Sequence, residues 1–277
     1  MNETQAKKYF EEFWKQHPYK IIEFRDEKWK YIISGKKDNP PIILLHGGFV
    51  DAGMWAYQIQ DLEKDFKLLA PTFPSAPRSF RLYCDIIDFL MQKERIEAAT
   101  ICGISYGGFL CQYFAKYFSN RVSKLILSHT FKPNEKFAKY IKLKSSIIHI
   151  MPNFLFNKKF KKRVKELDST DWMAYRKYYL LNIFNSYSKK EFANLYIPLS
   201  KSILEDPLEK DLWKGPTVIL SSKDDSDVIK YQKDLINTYP QAELYEFEKG
   251  GHHTALTYPV EYTKVLRKYK EIHSYDK

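Results

Sequence analysis

Cysteine is scarce in this chain. Only Cys84, Cys102 and Cys111 occur among 277 residues, and no two form a C-x-x-C pair. That excludes a disulfide framework and a cysteine zinc site. Long apolar runs are missing as well, so nothing approaches the roughly 20 residues needed to span a bilayer. The N-terminus, MNETQAKKYFEEFWKQ, holds no apolar core followed by small residues, as a secretory signal would. A cytoplasmic location is the expectation. No phosphate loop, dinucleotide glycine motif or metal-spaced cluster occurs, so neither a cofactor nor a metal is expected.

Acidic residues are in deficit, 34 against 45 basic ones, a net charge of +11. Such an excess can serve nucleic acid, an anionic membrane or an acidic partner. Lysines recur along the whole chain, loops included, so a solvated basic surface is the plainer reading and no nucleic-acid partner is expected. What is plentiful is apolar: 44% hydrophobic and 16% aromatic residues suffice for a sizeable core.

Residues 1–17 read as a short amphipathic lead-in. Residues 21–24 (IIEF) and 29–33 (WKYII) flank a polar RDEK turn, a hairpin pattern. Residues 42–45 (IILL) are continuously apolar, as in a strand buried on both faces of a parallel sheet. Helix and strand then alternate: helix 54–65, strand 66–70, helix 81–92, strand 99–104, helix 106–118 and strand 122–128. Residues 131–208 contain no buried strand pattern and read as helices at 135–150, 157–166, 171–184, 189–195 and near Ile203. Alternation returns at 217–220, 228–239, 242–247 and 259–273. The pattern predicts an α/β fold: a doubly wound, mostly parallel sheet with an N-terminal antiparallel hairpin. Residues 1–130 and 209–277 form its core, and 131–208 form a helical cap inserted over one end of the strands.

In such a sheet functional groups gather at the carboxyl ends of strands. Ser105 stands there, in Gly103-Ile104-Ser105-Tyr106-Gly107, between an apolar strand and an apolar helix. This is the strand-turn-helix setting of a G-x-S-x-G nucleophile elbow. A serine hydroxyl needs a base, and the base an orienting acid. After strand 217–220 comes SSKDDSD, where Asp225 is the first candidate acid and Asp224 the second. Asp227 suits a helix N-cap before Val228 by type and position. After the last strand, Gly250-Gly251-His252-His253 supplies a base 27 residues beyond Asp225, with His252 and His253 both open at this point. His17, His129, His149 and His273 have no comparable setting. Oxyanion donors would be the Tyr106 N–H and an N–H of His46-Gly47-Gly48-Phe49, Gly48 first and Phe49 one position behind. His46 is read as bracing that loop.

These stretches together resemble the α/β-hydrolase superfamily: LLHGGFVDAGMW for the oxyanion loop, GISYGG for the elbow, PTVILSSKDD for the acid and GGHHTALTYP for the base. The order Ser…Asp…His is the superfamily's. A proline seven residues beyond the base is common there, and Pro259 stands seven beyond His252. Members often carry G-x-x-D at the acid, and with Ser222 in the glycine's place the count falls on Asp225. The resemblance implies the α/β-hydrolase fold and a serine hydrolase acting on an ester, thioester or amide, with Ser105, Asp225 and His252 catalytic and the Gly48 and Tyr106 amides holding the oxyanion. Within the superfamily the chain is most similar to the maspardin branch, through LLAPTFPSA, CDIIDFL, FLCQYFAKYFSNRVSKLILSHTF, IMPNFLF and NTYPQAELYEFEKGG. PTFP lacks the acidic residue and G-H-G usual after this strand, a departure shared with that branch. Maspardin is regarded as a non-catalytic adaptor partly because its base position is not histidine, so the alternative implied is a binding or scaffold protein. Here the histidine is present.

Two features of the helical segment bear on ligands. Asn153-Phe154-Leu155-Phe156, Trp172-Met173, Tyr175 and Tyr178-Tyr179 could line a pocket or pack the segment onto the core, and packing is the plainer reading. Residues 158–163 (KKFKKR) are expected to make at most a weak contact with an anionic surface.

Overall fold

In the computed structural model of the protein, residues 1–74, 78–165, 172–186, 188–208 and 213–269 are described. Helix α1 (Glu3–Gln16) leads into strands β1 (Lys20–Phe24) and β2 (Glu27–Ser34). Their turn is two residues long, and Arg25 and Asp26 both take left-handed φ values, 51° and 59°. That conformation matches the right-handed twist of the paired strands. Then follow β3 (Pro41–Leu45), α2 (Ala56–Leu62), β4 (Lys67–Thr72), α3 (Phe80–Lys93), β5 (Ala99–Ile104), α4 (Tyr106–Tyr117) and β6 (Val122–Ser128). Among the described residues, five helices separate β6 from the next strand: α5 (Glu135–Ile150), α6 (Asn153–Lys165), α7 (Met173–Ser186), α8 (Lys189–Asn194) and α9 (Tyr196–Glu205). The chain closes with β7 (Thr217–Ser222), α10 (Gln232–Thr238), β8 (Glu243–Phe247), α11 (Thr254–Thr257) and α12 (Pro259–Lys268).

The eight strands form one sheet in the order β1-β2-β4-β3-β5-β6-β7-β8. β1 and β2 are antiparallel to their neighbours, and the pairs from β4 onward are parallel. The side-chain period of two divides the central strands cleanly between two cores. Ile43, Leu45, Ile101, Leu125, Leu127 and Ile219 face α3, α4 and α10. Ile42, Leu44, Cys102, Ile104, Ile126 and Val218 face α1, α2 and α12. This accounts for strands that read as unbroken apolar runs. Cys84, Cys102 and Cys111 are buried free thiols within these cores.

Several expected elements differ. The lead-in is a full helix, closed by an Asn2/Gln5 capping box, that buries Ala6 and Phe13 and packs on α7. The helix expected over 54–65 begins as a 3-10 turn, Ala52–Trp55, because Asp51 caps the Gly53 N–H. Likewise 228–239 begins as a 3-10 turn, Ile229–Tyr231. α6 starts four residues earlier than its lysine-rich pattern suggests, directly after Pro152. The expected helix ends at Glu166, Asp171 and His273 lie outside the described residues. Among the described residues no helix is long and apolar enough to cross a membrane.

The link from β2 to β3 turns at Gly35, whose φ is +82°. A Cβ there would lie 1.9 Å from the Phe66 carbonyl oxygen. Gly35→Ala should therefore destabilise the fold by more than about 1 kcal/mol, against a gain of under about 1 kcal/mol at an unstrained glycine. Urea unfolding measures this, and an unchanged midpoint would contradict it.

Candidate active site

Ser105 sits between β5 and α4 with φ 54° and ψ −113°, a conformation costly for any side-chain-bearing residue. Its surroundings hold it there. The Ser105 N–H donates to the Ser128 carbonyl at 3.0 Å. The Ser105 carbonyl accepts from the Gly108 N–H at 2.9 Å and from the Thr130 hydroxyl at 2.8 Å. The flanking glycines leave no room for alternatives: a Cβ on Gly103 would meet the Gly107 carbonyl oxygen at 2.2 Å, and one on Gly107 would meet the Leu45 carbonyl oxygen at 2.1 Å. Helix, elbow and β3 thus interlock by backbone contact, and the serine projects from the strand's carboxyl end.

His252 spans the gap from Ser105 to an acid. Its Nε2 lies 2.8 Å from Ser105 Oγ, and its Nδ1 lies 3.0 Å from Asp225 Oδ2. With Nδ1–H donating to the carboxylate, Nε2 is left to accept from the serine hydroxyl. Asp225 is only 1% exposed. Burial pushes its pKa up, but the hydrogen bond and charge of His252 and the Asp227 N–H outweigh burial and hold the carboxyl below its ordinary value.

The competing residues take other places. Asp224 is exposed and accepts from the Gly251 and Gly250 N–H groups at 2.9 and 3.2 Å, so it holds the turn that carries His252. Those glycines have φ values of 55° and 129°. Asp227 does not serve as the expected N-cap. The 3-10 turn is preceded by Val228 and has no side-chain cap, and the Asp227 N–H instead donates to Asp225 Oδ1 at 3.1 Å. His253 lines the cavity beside His252. Asp225, Asp227 and His252 each bring one potential metal-ligand atom within 4.8 Å of the others, but Asp225 and His252 are already bonded to each other.

Two further histidines support the site from behind. His46 donates from Nδ1 to the Gly47 carbonyl at 2.7 Å and accepts the Phe73 N–H at Nε2, 3.0 Å away. It ties the loop after β3 to the end of β4, as its reading as a brace anticipates. Burial lowers its pKa to about 4. His129, for which no setting at the site is expected from sequence, stands directly behind it. It follows β6 with φ 46° and is fully buried, with Ser128 Oγ 2.8 Å from Nδ1 and Ser222 Oγ and Thr254 Oγ1 2.9 Å from Nε2. Its ring stands 6.4 Å from that of His252. Burial, then the neighbouring His252, lowers its pKa to about 3. The available signal is position, since His129 directly follows a strand, as Ser105 does.

A cavity of about 450 Å³ opens over Ser105 and His252. Gly48 and Tyr106, the expected oxyanion donors, line it together with Phe49. The left-handed backbone in this loop falls on Phe49, φ 64°, and neither Gly47 nor Gly48 is crowded. Phe49 stacks on Phe192 of α8 with ring centroids 3.9 Å apart. The far wall comes from Phe137, Ile141, Leu180, Leu195 and Leu199 of the helical segment. None of the aromatic residues named from sequence in 153–156 or 172–179 lines it. Phe156 packs on Phe184 and Phe192, and Tyr175 and Trp172 pack against Tyr9 of α1. Tyr179 donates to the Asp51 carboxylate at 2.8 Å and pins α7 to the loop after β3.

The two buried histidines predict a pH profile for stability. Both stay neutral in the fold below the ordinary imidazole value of 6.5, while the unfolded chain protonates there. The unfolded state then binds more protons, so stability is full above about pH 7 and falls as pH drops. Between about pH 6 and pH 5 each histidine should contribute a loss of up to about 1.4 kcal/mol per pH unit. Urea unfolding across this range tests it, and a flat profile from about pH 7 to 5 would count against neutral, buried imidazoles.

A family model described as alpha/beta hydrolase fold matches residues 40–162. Among curated proteins, the chain is 29% identical over 115 residues to 3-oxoadipate enol-lactonase 2 of Acinetobacter baylyi, covering 38% of this chain and 43% of that protein. It is 30% identical over 96 residues to carboxylesterase YbfK of Bacillus subtilis, covering 31% and 32% respectively. The matched stretches thus span less than half the length of these relatives. The structure is similar to the enol-lactonase from Burkholderia xenovorans, with a TM-score of 0.71 at 19% identity, covering 91% of this chain and 99% of that one. With this strand order and elbow, the chain has the α/β-hydrolase fold.

Proposed function

We propose that the chain is a serine hydrolase that cleaves an ester, thioester or amide of a small or acyl-chain substrate. The observation that carries this reading is the line from Ser105 Oγ to His252 Nε2, 2.8 Å, and from His252 Nδ1 to the buried Asp225, 3.0 Å. Esters come first because the similar proteins are named as esterases and lactonases. The apolar wall formed by Phe137, Ile141, Leu180, Leu195 and Leu199 favours an acyl chain or another apolar group over a strongly polar one.

The chemistry follows from the geometry. His252 takes the Ser105 proton as Oγ attacks the acyl carbon, and Asp225 stabilises the imidazolium that forms. The Tyr106 and Gly48 amides receive the negative charge on the carbonyl oxygen. The tetrahedral intermediate collapses, and His252 passes its proton to the leaving group. A water molecule, deprotonated by the same imidazole, then attacks the acyl-enzyme and frees the acid. The likeness to the maspardin branch rests on the sequence stretches alone, and the presence of His252 favours catalysis over a pure scaffold.

A fluorophosphonate probe tests the nucleophile. Ser105 should displace fluoride and become labelled, and Ser105→Ala should lose the label together with about a thousandfold or more of kcat/KM on a p-nitrophenyl ester. Absence of label on the parent chain, or equal labelling of Ser105→Ala, would defeat the proposal.

A further inference from the structure

Helix α5 is apolar on two opposite faces. One face buries Ala138, Ile141, Ser145 and Ile148. The other carries Tyr140, Leu143, Ile147 and Ile150, spaced three, four and three residues apart and 58%, 61%, 45% and 84% exposed. At 3.6 residues per turn they form a stripe about 80° wide. The chain then breaks at Pro152 and enters α6, where Phe154 and Leu155 are 69% and 39% exposed. A surface helix ordinarily turns polar residues to water, and a continuous apolar stripe marks an interaction face.

Most of the net charge of the protein lies on these two helices and the residues leading into them. Residues 131–165 hold eleven of the 45 basic residues and one of the 34 acidic ones. The rest of the chain has 34 basic and 33 acidic residues and is within one charge of neutral. The basic excess is therefore local, which corrects the reading of scattered surface lysines. The one acid in this stretch, Glu135, is paired with Lys139 at 2.6 Å. Lys136, Lys142, Lys158 and Lys159 are exposed around the apolar stripe.

Exposed apolar side chains bordered by lysines are what a helix needs to lie in the plane of a membrane interface. Lysine stems cover apolar surface while the ammonium groups reach phosphate, and an anionic leaflet attracts them within a Debye length. We propose that the α5–α6 corner docks on an anionic lipid bilayer, with Ile147, Ile150, Phe154 and Leu155 entering the headgroup region. Nucleic acid would satisfy the lysines but leave that apolar corner in water, and a second copy of this chain would bring like charges together. Docking does not depend on the serine being catalytic. If the hydrolase reading also holds, one consequence follows: Tyr140 and Lys144 of α5 line the cavity as well, so an ester dissolved in the bilayer would reach Ser105 from the docked face.

Co-sedimentation of the full chain with phosphatidylcholine vesicles, with and without phosphatidylglycerol, tests the proposal. Affinity should rise about tenfold or more with phosphatidylglycerol and fall with added salt. The double variant Ile150→Ser/Phe154→Ser should lose about tenfold in vesicle affinity, and Lys158→Glu/Lys159→Glu should lose the dependence on anionic lipid. Both variants should keep their activity on a water-soluble ester, since none of these side chains lines the cavity. Ser105→Ala should bind vesicles as well as the parent chain, which separates failure of docking from failure of catalysis. Equal binding to neutral and anionic vesicles would overturn the proposal. So would a dimer in analytical ultracentrifugation that the Ile150→Ser/Phe154→Ser variant dissociates, or RNA binding that this variant leaves intact while vesicle binding is absent.

Discussion

A buried aspartate that keeps its charge is the constraint on which the site depends. Asp225 is shielded from water, and an unpaired carboxylate there would be costly. It is satisfied by the His252 ring and the Asp227 N–H. Those partners come from the ends of β7 and β8, and the line from His252 continues to Ser105 at the end of β5. Three strand ends must therefore lie in the correct relation. The parallel pairing of β5, β6, β7 and β8 supplies it. His129, at the end of β6, fills the space behind and links Ser128, Ser222 and Thr254 into one hydrogen-bonded layer. Tyr262 of α12 donates to Ser128 Oγ at 2.8 Å and joins the last helix to that layer. Sheet register, the polar layer and the strained serine are parts of one arrangement.

Much of this was legible because strands and their ends are local features. Apolar runs bounded by turn residues marked β3, β5, β6 and β7, and the residues just after them included Ser105 and Asp225. Glycine spacing carried a steric meaning that the structure makes explicit, with Gly107 against β3 and Gly103 against Cys111. The N-terminal hairpin was legible from its polar turn. What escaped depends on contacts between residues far apart in sequence. His129 was passed over because its partners come from β6, β7 and α11. The Asp51–Tyr179 bond joins residues 128 positions apart, and no local pattern announces it.

The helical segment was the least legible part, and the reason is physical. α7 carries apolar or aromatic residues around most of its circumference, and it meets α1 on one side and the loop after β3 on another. Such a helix has no single apolar stripe to read. α5 has two, and sequence alone cannot tell which face is covered. Its boundaries, Glu135–Ile150, nevertheless match the expected ones, and Asn134 caps its start. The same helix therefore contributes Phe137 and Ile141 to the cavity wall and an uncovered basic and apolar face to the outside. What the cavity admits and what the surface meets are set by one element.

The most direct test of the central claim, that Asp225 and not its neighbour orients the base, compares Asp225→Asn with Asp224→Asn on a p-nitrophenyl ester. An asparagine at 225 cannot hold the imidazole in the required tautomer as a charged partner does, and kcat should fall by about ten-thousandfold. Asparagine at 224 can still accept from the Gly250–Gly251 turn, and its loss should stay within about tenfold. Equal effects of the two substitutions, or a larger one at Asp224, would contradict the assignment.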